Sequence, residues 1–349
     1  VKQSLNGRYL ALSAAVVLAI TGYSIFWFTL ADRIETGIAG WAEARRAEGM
    51  IVEYSALSVT GFPLRVQIEA HDAHLAGPGP APSWDWRSVR LIGNVLPYNI
   101  NHIVLSLPEK QQIGIRINGG LLEQYQLVPL ESRASVKLAG GKISRLDADI
   151  SGGTLSGGRL LAGEMTLGRA QLHVRQVAAE ADADGASGKI LDVAIGLENI
   201  NYPGFANSAL GPQLARLMLN SSIEGEWPKA KGPDGVREWR DAGGVAQLAA
   251  IDVQWGPLNL KATGTVALDA QDRLIGSLTA KLSGYDNLIK GLQDAGQLSK
   301  DEAAAARAAF GLISMAAGDT KGELSLPLVA QDGEMYVGPL RIAKLKPLY

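Results

Sequence analysis

Residues 248–282 read LAAIDVQWGPLNLKATGTVALDAQDRLIGSLTAKL, and this stretch decides the fold class. Apolar and polar residues alternate in three runs, at 248–255, 258–268 and 274–282, with the turn-forming sequences GP and DAQDR between them. Alternation with a period of two is typical of strands that present one apolar face. Because the connections are this short, neighbouring runs must pair antiparallel. The stretch therefore predicts a β-meander.

The same pattern recurs along most of the chain. Short alternating runs, often bounded by glycine pairs, occur at residues 103–107, 113–117, 134–138, 146–150, 165–174 and 191–197. Residues 201–212 are rich in turn formers, so we place a boundary there between a first β module, residues 50–200, and a second, residues 213–349. We predict a mainly β protein with an N-terminal transmembrane helix, whose curved antiparallel sheet is built in two modules with a small helical cap.

The first module is expected to open with a hairpin. Residues 50–60 are predicted as a strand, residues 61–63 (GFP) as its turn, and residues 64–70 as the partner strand. Glycine tolerates a positive φ and proline lacks a backbone donor, so both suit a corner. Alternate residues from Leu64 to Ala70 would then share one apolar face.

Within the two β modules, helical signals occur at a few places in the second module. Two helices are predicted near residues 285–317, where apolar residues recur at helical spacing. Ser299 and Glu302 fit a capping box at the start of the second helix. A short helix is also expected near residues 236–242, within a polar insertion.

An apolar segment without charged residues precedes the β-structure at residues 9–31, YLALSAAVVLAITGYSIFWFTLA. A helix of roughly 20 apolar residues crosses a bilayer core, so we predict a transmembrane anchor. The alternative is a cleaved signal peptide with residues 29–31 (TLA) as its cleavage site, but the apolar run is longer than the roughly 7–15 residues of a signal. Residues 32–49 continue the helical spacing as a stalk, which Gly49 is placed to end.

The tail before the anchor indicates an orientation. Residues 1–8 contain Lys2 and Arg8 and no acidic residue. A short basic tail before a single apolar segment is typical of an anchor whose amino terminus stays in the cytoplasm. We therefore expect a single-pass protein of the inner membrane with its main domain in the periplasm. The absence of cysteine agrees with export without requiring it.

No strong catalytic or metal signature is found in the sequence. The net charge of −2 gives no overall positive potential that would attract nucleic acid. The lack of cysteine excludes a thiol nucleophile. His71 and His74 lie at the end of a predicted strand, where residues three apart point to opposite faces. Asp147 and Asp149 are expected on a solvated face. We expect no enzyme activity, no catalytic residue, no metal and no cofactor.

Five short motifs together resemble one family. They are residues 61–65 (GFPLR), 239–244 (WRDAGG), 255–258 (WGPL), 262–265 (ATGT) and 332–333 (DG). Following an amino-terminal anchor, they resemble the alphaproteobacterial envelope family of unknown function 2125 (DUF2125) over nearly the whole chain. The resemblance implies a membrane-attached, exported protein. It brings no catalytic or binding residues.

Residues 258–282 also resemble, at the level of the fold, AsmA-type proteins, which are exported lipid-handling proteins with a long curved sheet. A sheet that is apolar on one face must cover that face with helices, with another sheet or with lipid. Our hypothesis is that a concave apolar face binds or passes membrane lipid or another amphiphile. Its groove candidates are Leu64, Val66, Ile68, Val253, Leu260, Val266, Leu278 and Leu282. The structural alternative is an ordinary core in which protein covers the apolar face. The functional alternative is a non-catalytic scaffold or assembly subunit that binds another envelope protein.

Three tryptophans are candidates for the membrane interface, where indole rings are enriched. Trp27 lies near the end of the apolar segment, and Trp84 and Trp86 share one face of an extended segment beside basic residues. For Trp84 and Trp86, packing at the end of a core is an equally weighted alternative. Trp227, Trp239 and Trp255 are expected to be structural.

Overall fold

A computed structural model describes most of the chain. It covers residues 3–79, 81–116, 120–159, 161, 163–177, 188–206, 208–230, 232–294, 296, 298–317, 323–337 and 340–348. Strands dominate the described residues, and the helices are few. The mainly β fold class is therefore confirmed. Lys2, on which the orientation argument partly depends, lies outside the described residues.

The helices frame the β-structure. Helix α1 runs without interruption over Gln3–Ala47, and the other α-helices among the described residues are α2 (Gly232–Asp241), α3 (Tyr285–Asp294) and α4 (Lys300–Ala317). A 3-10 turn lies at Pro203–Phe205. Gly49, with φ +82°, follows the end of α1 and reverses the chain into the first strand. The predicted capping box is confirmed at α4, where the Glu302 amide donates to Ser299 Oγ at 3.2 Å and the Ser299 amide donates to Glu302 Oε2 at 2.8 Å.

The strands follow one another along the chain. They are β1 Ile51–Glu53, β2 Ala56–Thr60, β3 Val66–Ala76, β4 Trp84–Leu96, β5 Asn99–Ser106, β6 Gln111–Arg116, β7 Leu122–Ala139, β8 Lys142–Gly157, β9 Met165–Gln176, β10 Lys189–Asn201, β11 Gln213–Glu224, β12 Val245–Trp255, β13 Leu258–Leu268, β14 Leu274–Ser283, β15 Glu323–Gln331, β16 Glu334–Val337 and β17 Leu340–Lys344. Together they form one 17-stranded sheet.

The sheet is an antiparallel meander. From β7 to β17 each strand pairs with the next one in the chain. Nearer the amino terminus, β1 and β2 both lie along β3, and β5 and β6 both lie between β4 and β7. Because β10 pairs with β11, the sheet continues across residues 202–212, where the boundary between the two modules was placed.

The first hairpin differs from the prediction in two details. Residues 50–60 form two short strands, interrupted where the Ser55 amide donates to the His71 carbonyl oxygen at 2.9 Å. Leu64 does not begin the partner strand, since the Arg65 amide bonds back to the Gly61 carbonyl oxygen at 3.1 Å and prolongs the turn. Leu64 therefore lies in the turn and is 80% exposed.

Left-handed residues interrupt the regular alternation within the long strands. In β10 the apolar residues Ile195 and Leu197 are two positions apart, but the next one, Ile200, follows three positions later. Asn199, which lies between Leu197 and Ile200, has φ +52°. In β8 the residue Gly152 has φ +70°. A residue in this conformation breaks the pleat and bends the strand. These positions are one source of the curvature of the sheet.

Two ends of the sheet can be distinguished by the course of α1. Trp27 of α1 packs on Val66 beside the turn at residues 61–65, and we call this side the anchor end. The carboxyl end of α1 reaches the opposite side, where the Gly79 amide donates to the Gly49 carbonyl oxygen at 3.3 Å. We call this side the far end. Helix α1 therefore runs along the edge of the sheet from one end to the other.

Candidate functional site

A continuous row of apolar residues crosses the sheet perpendicular to its strands. Each member is the direct cross-strand neighbour of the next, so all members share one face of the sheet. The row consists of Ile68, Gly93, Leu105, Ala134, Ala148, Leu172, Ile195, Leu219, Ile251, Ala262, Ala280 and Leu326. With strands spaced about 4.8 Å apart, a row from β3 to β15 is on the order of 50 Å long.

A second row lies beside the first on the same face. It consists of Val66, Val95, Ile103, Val136, Leu146, Val174, Val193, Ser221, Leu248, Gly264, Leu278 and Leu328. Ser221 is its one polar member. We call the two rows together the apolar stripe.

Helices cover the apolar stripe at both of its ends. At the β3 end, Val66 is fully buried against α1, in a cluster with Trp27 and Ala31. At the β15 end, Leu326 is 4% exposed in a cluster with Tyr285 of α3 and residues of α4. Each end is thus a small packed core, which is the ordinary way to cover an apolar sheet face.

The middle of the apolar stripe differs from its ends. Ala148, Leu172, Ile195 and Leu219 are all half-buried, and no buried apolar cluster includes them within the described part of the chain. Scattered apolar residues at a surface are ordinary, whereas a contiguous apolar patch commonly marks a binding surface. The middle strands β8 to β11 therefore offer a long apolar surface that no described helix covers.

The groove candidates occupy different parts of this face. Val66 and Ile68 lie at the end beside α1, whereas Val253, Leu260 and Leu282 are direct neighbours near the other end. Leu278 belongs to the second row, and Val266 lies on the same face opposite Gly276. Leu64 lies in the turn and is not on the sheet.

The central residues of the apolar stripe are absent from the groove candidates. Leu172, Ile195 and Leu219 belong to alternating runs that the sequence shows clearly. The alternation indicates that each has an apolar face, but it does not indicate which strands are neighbours or which part of the face lacks a cover. Cross-strand register was needed to find them.

The opposite face of the same strands is polar and rich in ion pairs. His173 Nδ1 lies 2.8 Å from Asp147 Oδ1, and Arg169 Nε donates to Asp149 Oδ2 at 3.0 Å. The Arg169 guanidinium lowers the pKa of Asp149 below its ordinary value. For Asp147 partial burial raises the pKa, but the hydrogen bonds from His173 and from an arginine outweigh it, so the pKa is lowered. Both carboxylates are therefore held ionised on a charged outer face.

His71 and His74 also lie next to carboxylate side chains. His74 Nε2 lies 2.8 Å from Asp85 Oδ2 and its Nδ1 lies 3.0 Å from Glu53 Oε2, whereas His71 contacts Glu69 at 3.1 Å. Among the described residues, no group of three or more His, Asp or Glu side chains is arranged to hold a metal ion.

Trp27 faces protein rather than the surroundings of the helix. Its side chain is 3% exposed, and its indole N–H donates to the Arg65 carbonyl oxygen at 3.2 Å. The position near the end of the apolar segment is as predicted, but the ring packs on Val66 and the turn at residues 61–65.

Aromatic residues extend this contact between α1 and the turn. Phe28 stacks on Phe62 with ring centroids 5.5 Å apart, and Trp27 meets Phe62 edge-on at 5.5 Å. The Tyr23 hydroxyl donates to the Pro63 carbonyl oxygen. The GFPLR motif therefore fixes the last turns of the apolar segment to the start of the sheet. We call this contact the anchor junction.

Trp84 and Trp86 lie at the far end of the sheet. Asp85, between them, pairs with Ala76, whereas Val95 at the other end of the same strand pairs with Val66 at the anchor junction. At about 3.3 Å per residue, Trp86 is roughly 30 Å from Val95 along β4. This position is remote from the point where the apolar segment of α1 meets the sheet. Trp86 is half-buried and Trp84 is 38% exposed, so the packing alternative fits Trp86 better than Trp84.

The other motif residues have structural contacts. The Trp239 indole N–H donates to the Glu224 carbonyl oxygen at 2.9 Å, and a Cβ at Gly244 would lie 2.2 Å from the Trp239 ring. The Trp255 indole N–H donates to the Gly211 carbonyl oxygen at 2.9 Å. These contacts hold α2 and the connection between β10 and β11 in place. Trp227, by contrast, is 55% exposed.

Among the described residues, one helix, within residues 7–47, is long and apolar enough to cross a membrane, with a mean hydropathy of 1.9 in its most apolar part. The family model described as "Uncharacterized protein conserved in bacteria (DUF2125)" matches residues 27–346. No curated protein and no solved structure matches the chain, so the likeness to AsmA-type proteins stays a hypothesis. The family match covers most of the chain and includes all five motifs that suggested it. The chain therefore belongs to the DUF2125 family.

Proposed function

We propose that this chain is a membrane-anchored, non-catalytic protein that binds lipid or another amphiphile on the apolar stripe and passes it along the sheet. In this proposal α1 is a single-pass anchor in the inner membrane and the sheet lies in the periplasm. The observation that carries the proposal is the half-exposed middle of the apolar stripe, between two helix-covered ends.

The dimensions of the apolar stripe suit an acyl chain. A bilayer core of about 30 Å holds two acyl layers, so one layer is about half that thickness. The uncovered strands β8 to β11 span about 14 Å at about 4.8 Å per strand, which is close to one acyl layer, whereas the whole apolar stripe, on the order of 50 Å long, includes its two helix-covered ends. Burial of apolar surface is favourable by roughly 25 cal/mol per Å², and an acyl chain on the middle strands would supply the cover that helices supply at the ends.

The charged outer face supports the same reading. Ion pairs such as Arg175–Asp192 occupy the side opposite Val193 and Ile195 on the same strands. A sheet with one charged and one apolar face can keep its outer side in water while its inner side holds an amphiphile. The scaffold alternative predicts instead a packed core beneath the whole sheet, which the half-buried Leu172 and Leu219 do not favour.

Photocrosslinking in cells tests the proposal directly. A benzophenone amino acid is placed at Leu219, on the apolar stripe, and in a matched control at the adjacent Asn220, on the charged face. Mass spectrometry of the purified full chain after irradiation should detect a phospholipid adduct at position 219 and none at position 220. Placement at Leu172 repeats the test two strands away.

The lipid proposal would be overturned if positions 172 and 219 gave no lipid adduct while the same labelled chains still formed intramolecular crosslinks, which shows that the benzophenone is reactive. A protein adduct at these positions would support the scaffold alternative instead.

A further inference from the structure

The position of the sheet relative to the apolar segment of α1 places one part of the sheet at the level of a membrane. If the span begins at Tyr9, directly after Arg8, roughly 20 residues cross the hydrocarbon core and the span ends near Phe28. Phe28 and Trp27 are the residues that contact Phe62 in the turn at residues 61–65. The turn is therefore level with the boundary between acyl chains and head groups.

Apolar side chains project from this turn and from the neighbouring one. Leu64 is 80% exposed and Phe62 is 45% exposed. The connection between β4 and β5 lies beside them, because Val66 pairs with Val95. In that connection Tyr98 is 84% exposed, and Ile100, the second residue of β5, is 50% exposed. We call the exposed residues Phe62, Leu64, Leu96, Tyr98 and Ile100 the rim.

The charge around the rim suits a bilayer surface. Residues 61–66 and 94–103 contain no acidic residue, and Arg65 is their one residue with a permanent charge. An exposed arginine beside apolar side chains can contact lipid phosphate while its neighbours enter the acyl layer. Farther along the same end of the sheet, the turn at residues 269–273 carries Asp269, Asp272 and Arg273. The turn beside α1 therefore differs in charge from the turn at residues 269–273, although Ile143 and Trp227 are also exposed at this end of the sheet.

We infer that the rim is inserted into the bilayer interface, so that the apolar stripe begins at the lipid leaflet itself. Val66 and Ile68, where the two rows of the apolar stripe start, lie two and four residues after the rim residue Leu64. A lipid leaving the bilayer at the rim would pass Arg65 and the α1 residues that cover Val66 before it reached the half-buried middle of the apolar stripe. The inference rests on the anchoring part of the proposed function and names the place at which lipid enters.

Depth measurement on the full chain tests this inference. The protein has no cysteine, so each introduced cysteine is a unique site for an environment-sensitive NBD label. The variants are Leu64→Cys and Tyr98→Cys in the rim, Leu12→Cys in the anchor, and Leu121→Cys at the far end, which is 69% exposed and serves as the matched control. Each protein is reconstituted in phosphatidylcholine–phosphatidylglycerol vesicles, with and without lipids that carry a quencher in their acyl chains.

Labels at positions 12, 64 and 98 should show blue-shifted emission and be quenched by the acyl-chain quencher, whereas the label at position 121 should emit as in water. Quenching at position 12 together with water-like emission at positions 64 and 98 would overturn the inference and leave the anchor intact. Water-like emission at position 12 as well would overturn the anchor, and the inference with it.

The outcome is separable from that of the crosslinking experiment. A quenched rim without a lipid adduct at Leu219 would support insertion of the rim and overturn passage along the apolar stripe. As a functional test, Leu64→Asp combined with Tyr98→Asp should reduce the lipid adduct at position 219 several-fold, while Leu121→Asp should leave it unchanged. An unchanged adduct in the rim variant, with its fold intact, would contradict entry at the rim.

Discussion

The ends of the apolar stripe and its middle are built from similar residues, yet they differ in what lies above them. Leu324 and Leu217 belong to a further line of cross-strand neighbours, beside the apolar stripe on the same face, that runs through Leu282, Leu260 and Val253. Leu324 is fully buried beneath α3 and α4, whereas Leu217 is half-buried with no described helix over it. Alternation thus makes an apolar face, and the cover decides whether that face becomes a core or an accessible surface.

The largest expected effect concerns the covered end at the anchor junction. Trp27→Ala removes a side chain that is 3% exposed and a hydrogen bond to the Arg65 carbonyl oxygen, so we expect a loss of about 3–5 kcal/mol in the free energy of unfolding. Trp41, in the same helix, is 48% exposed, and Trp41→Ala should cost about 1 kcal/mol or less. Hydrogen exchange at residues 61–66, together with chemical unfolding, measures both. Equal effects of the two variants would show that the junction does not hold the sheet.

A comparison of two leucines tests the difference between end and middle. Leu324→Ala should destabilise the protein by about 3 kcal/mol, because it leaves a cavity under α3 and α4. Leu217→Ala, in the same line of neighbours, should cost about 1 kcal/mol, because its side chain is already in partial contact with solvent. Urea unfolding of the reconstituted full chain measures both values. Equal costs would mean that the middle is covered as tightly as the end.

A charge on the apolar face should act on lipid more than on folding. Val266 is half-buried on this face, so Val266→Asp should lower lipid occupancy about tenfold, equivalent to about 1.4 kcal/mol, and leave the sheet folded. Thr265→Asp places the same charge on the opposite face and serves as the control. Lipid retained by the purified chain is quantified by mass spectrometry. If Val266→Asp kept both folding and lipid, the assignment of this face as the groove would be wrong.

The smallest expected effect belongs to the charged face. Arg175 donates a hydrogen bond to Asp192 and lowers its pKa, with a further hydrogen bond from Ser222 at 2.8 Å. Because the pKa of Asp192 is lower in the folded chain than the value of about 3.9 for an unfolded aspartate, the ionised carboxylate stabilises the fold at a pH above that value. This stabilisation is lost as the pH falls through the pKa of the folded state. Because the pair is partly exposed, this contribution is at most about 1 kcal/mol. Asp192→Asn should therefore reduce stability slightly at pH 7 and make it less dependent on pH below 4. If the free energy of unfolding of Asp192→Asn depended on pH below 4 in the same way as that of the unsubstituted chain, this assignment would be wrong.

Local signals in the sequence anticipated much of the fold. The alternation at residues 248–282 gave β12, β13 and β14 with their short connections, and the Ser299–Glu302 capping box marked the start of α4. These features depend on residues close together in the chain, so a sequence pattern suffices to find them. The start of β3 at Val66 rather than Leu64 was missed because a backbone hydrogen bond from Arg65 to Gly61 prolongs the turn.

The candidate site was only partly predictable. Val253, Leu260 and Leu282 were identified as residues of the apolar face, and they are direct cross-strand neighbours. Leu172 and Ile195 were missed, because their importance comes from strands that are adjacent in the sheet and from the lack of a described cover. The contact of Trp27 with the turn at residues 61–65 joins residues far apart in the chain, and no local pattern reports it.

Sequence patterns are sufficient to identify an apolar helix long enough to cross a membrane and strands with one apolar and one polar face. These properties follow from the length and period of apolar residues, which are local. Tertiary contacts were needed to show that the two rows join into one apolar stripe, that α1 and α3–α4 cover its ends, and that the turns carrying Leu64 and Tyr98 are neighbours. Strand register and the packing of helices over a sheet face depend on contacts between residues that are distant in the chain. The spacing of apolar residues along one strand does not indicate which strand or helix lies next to it.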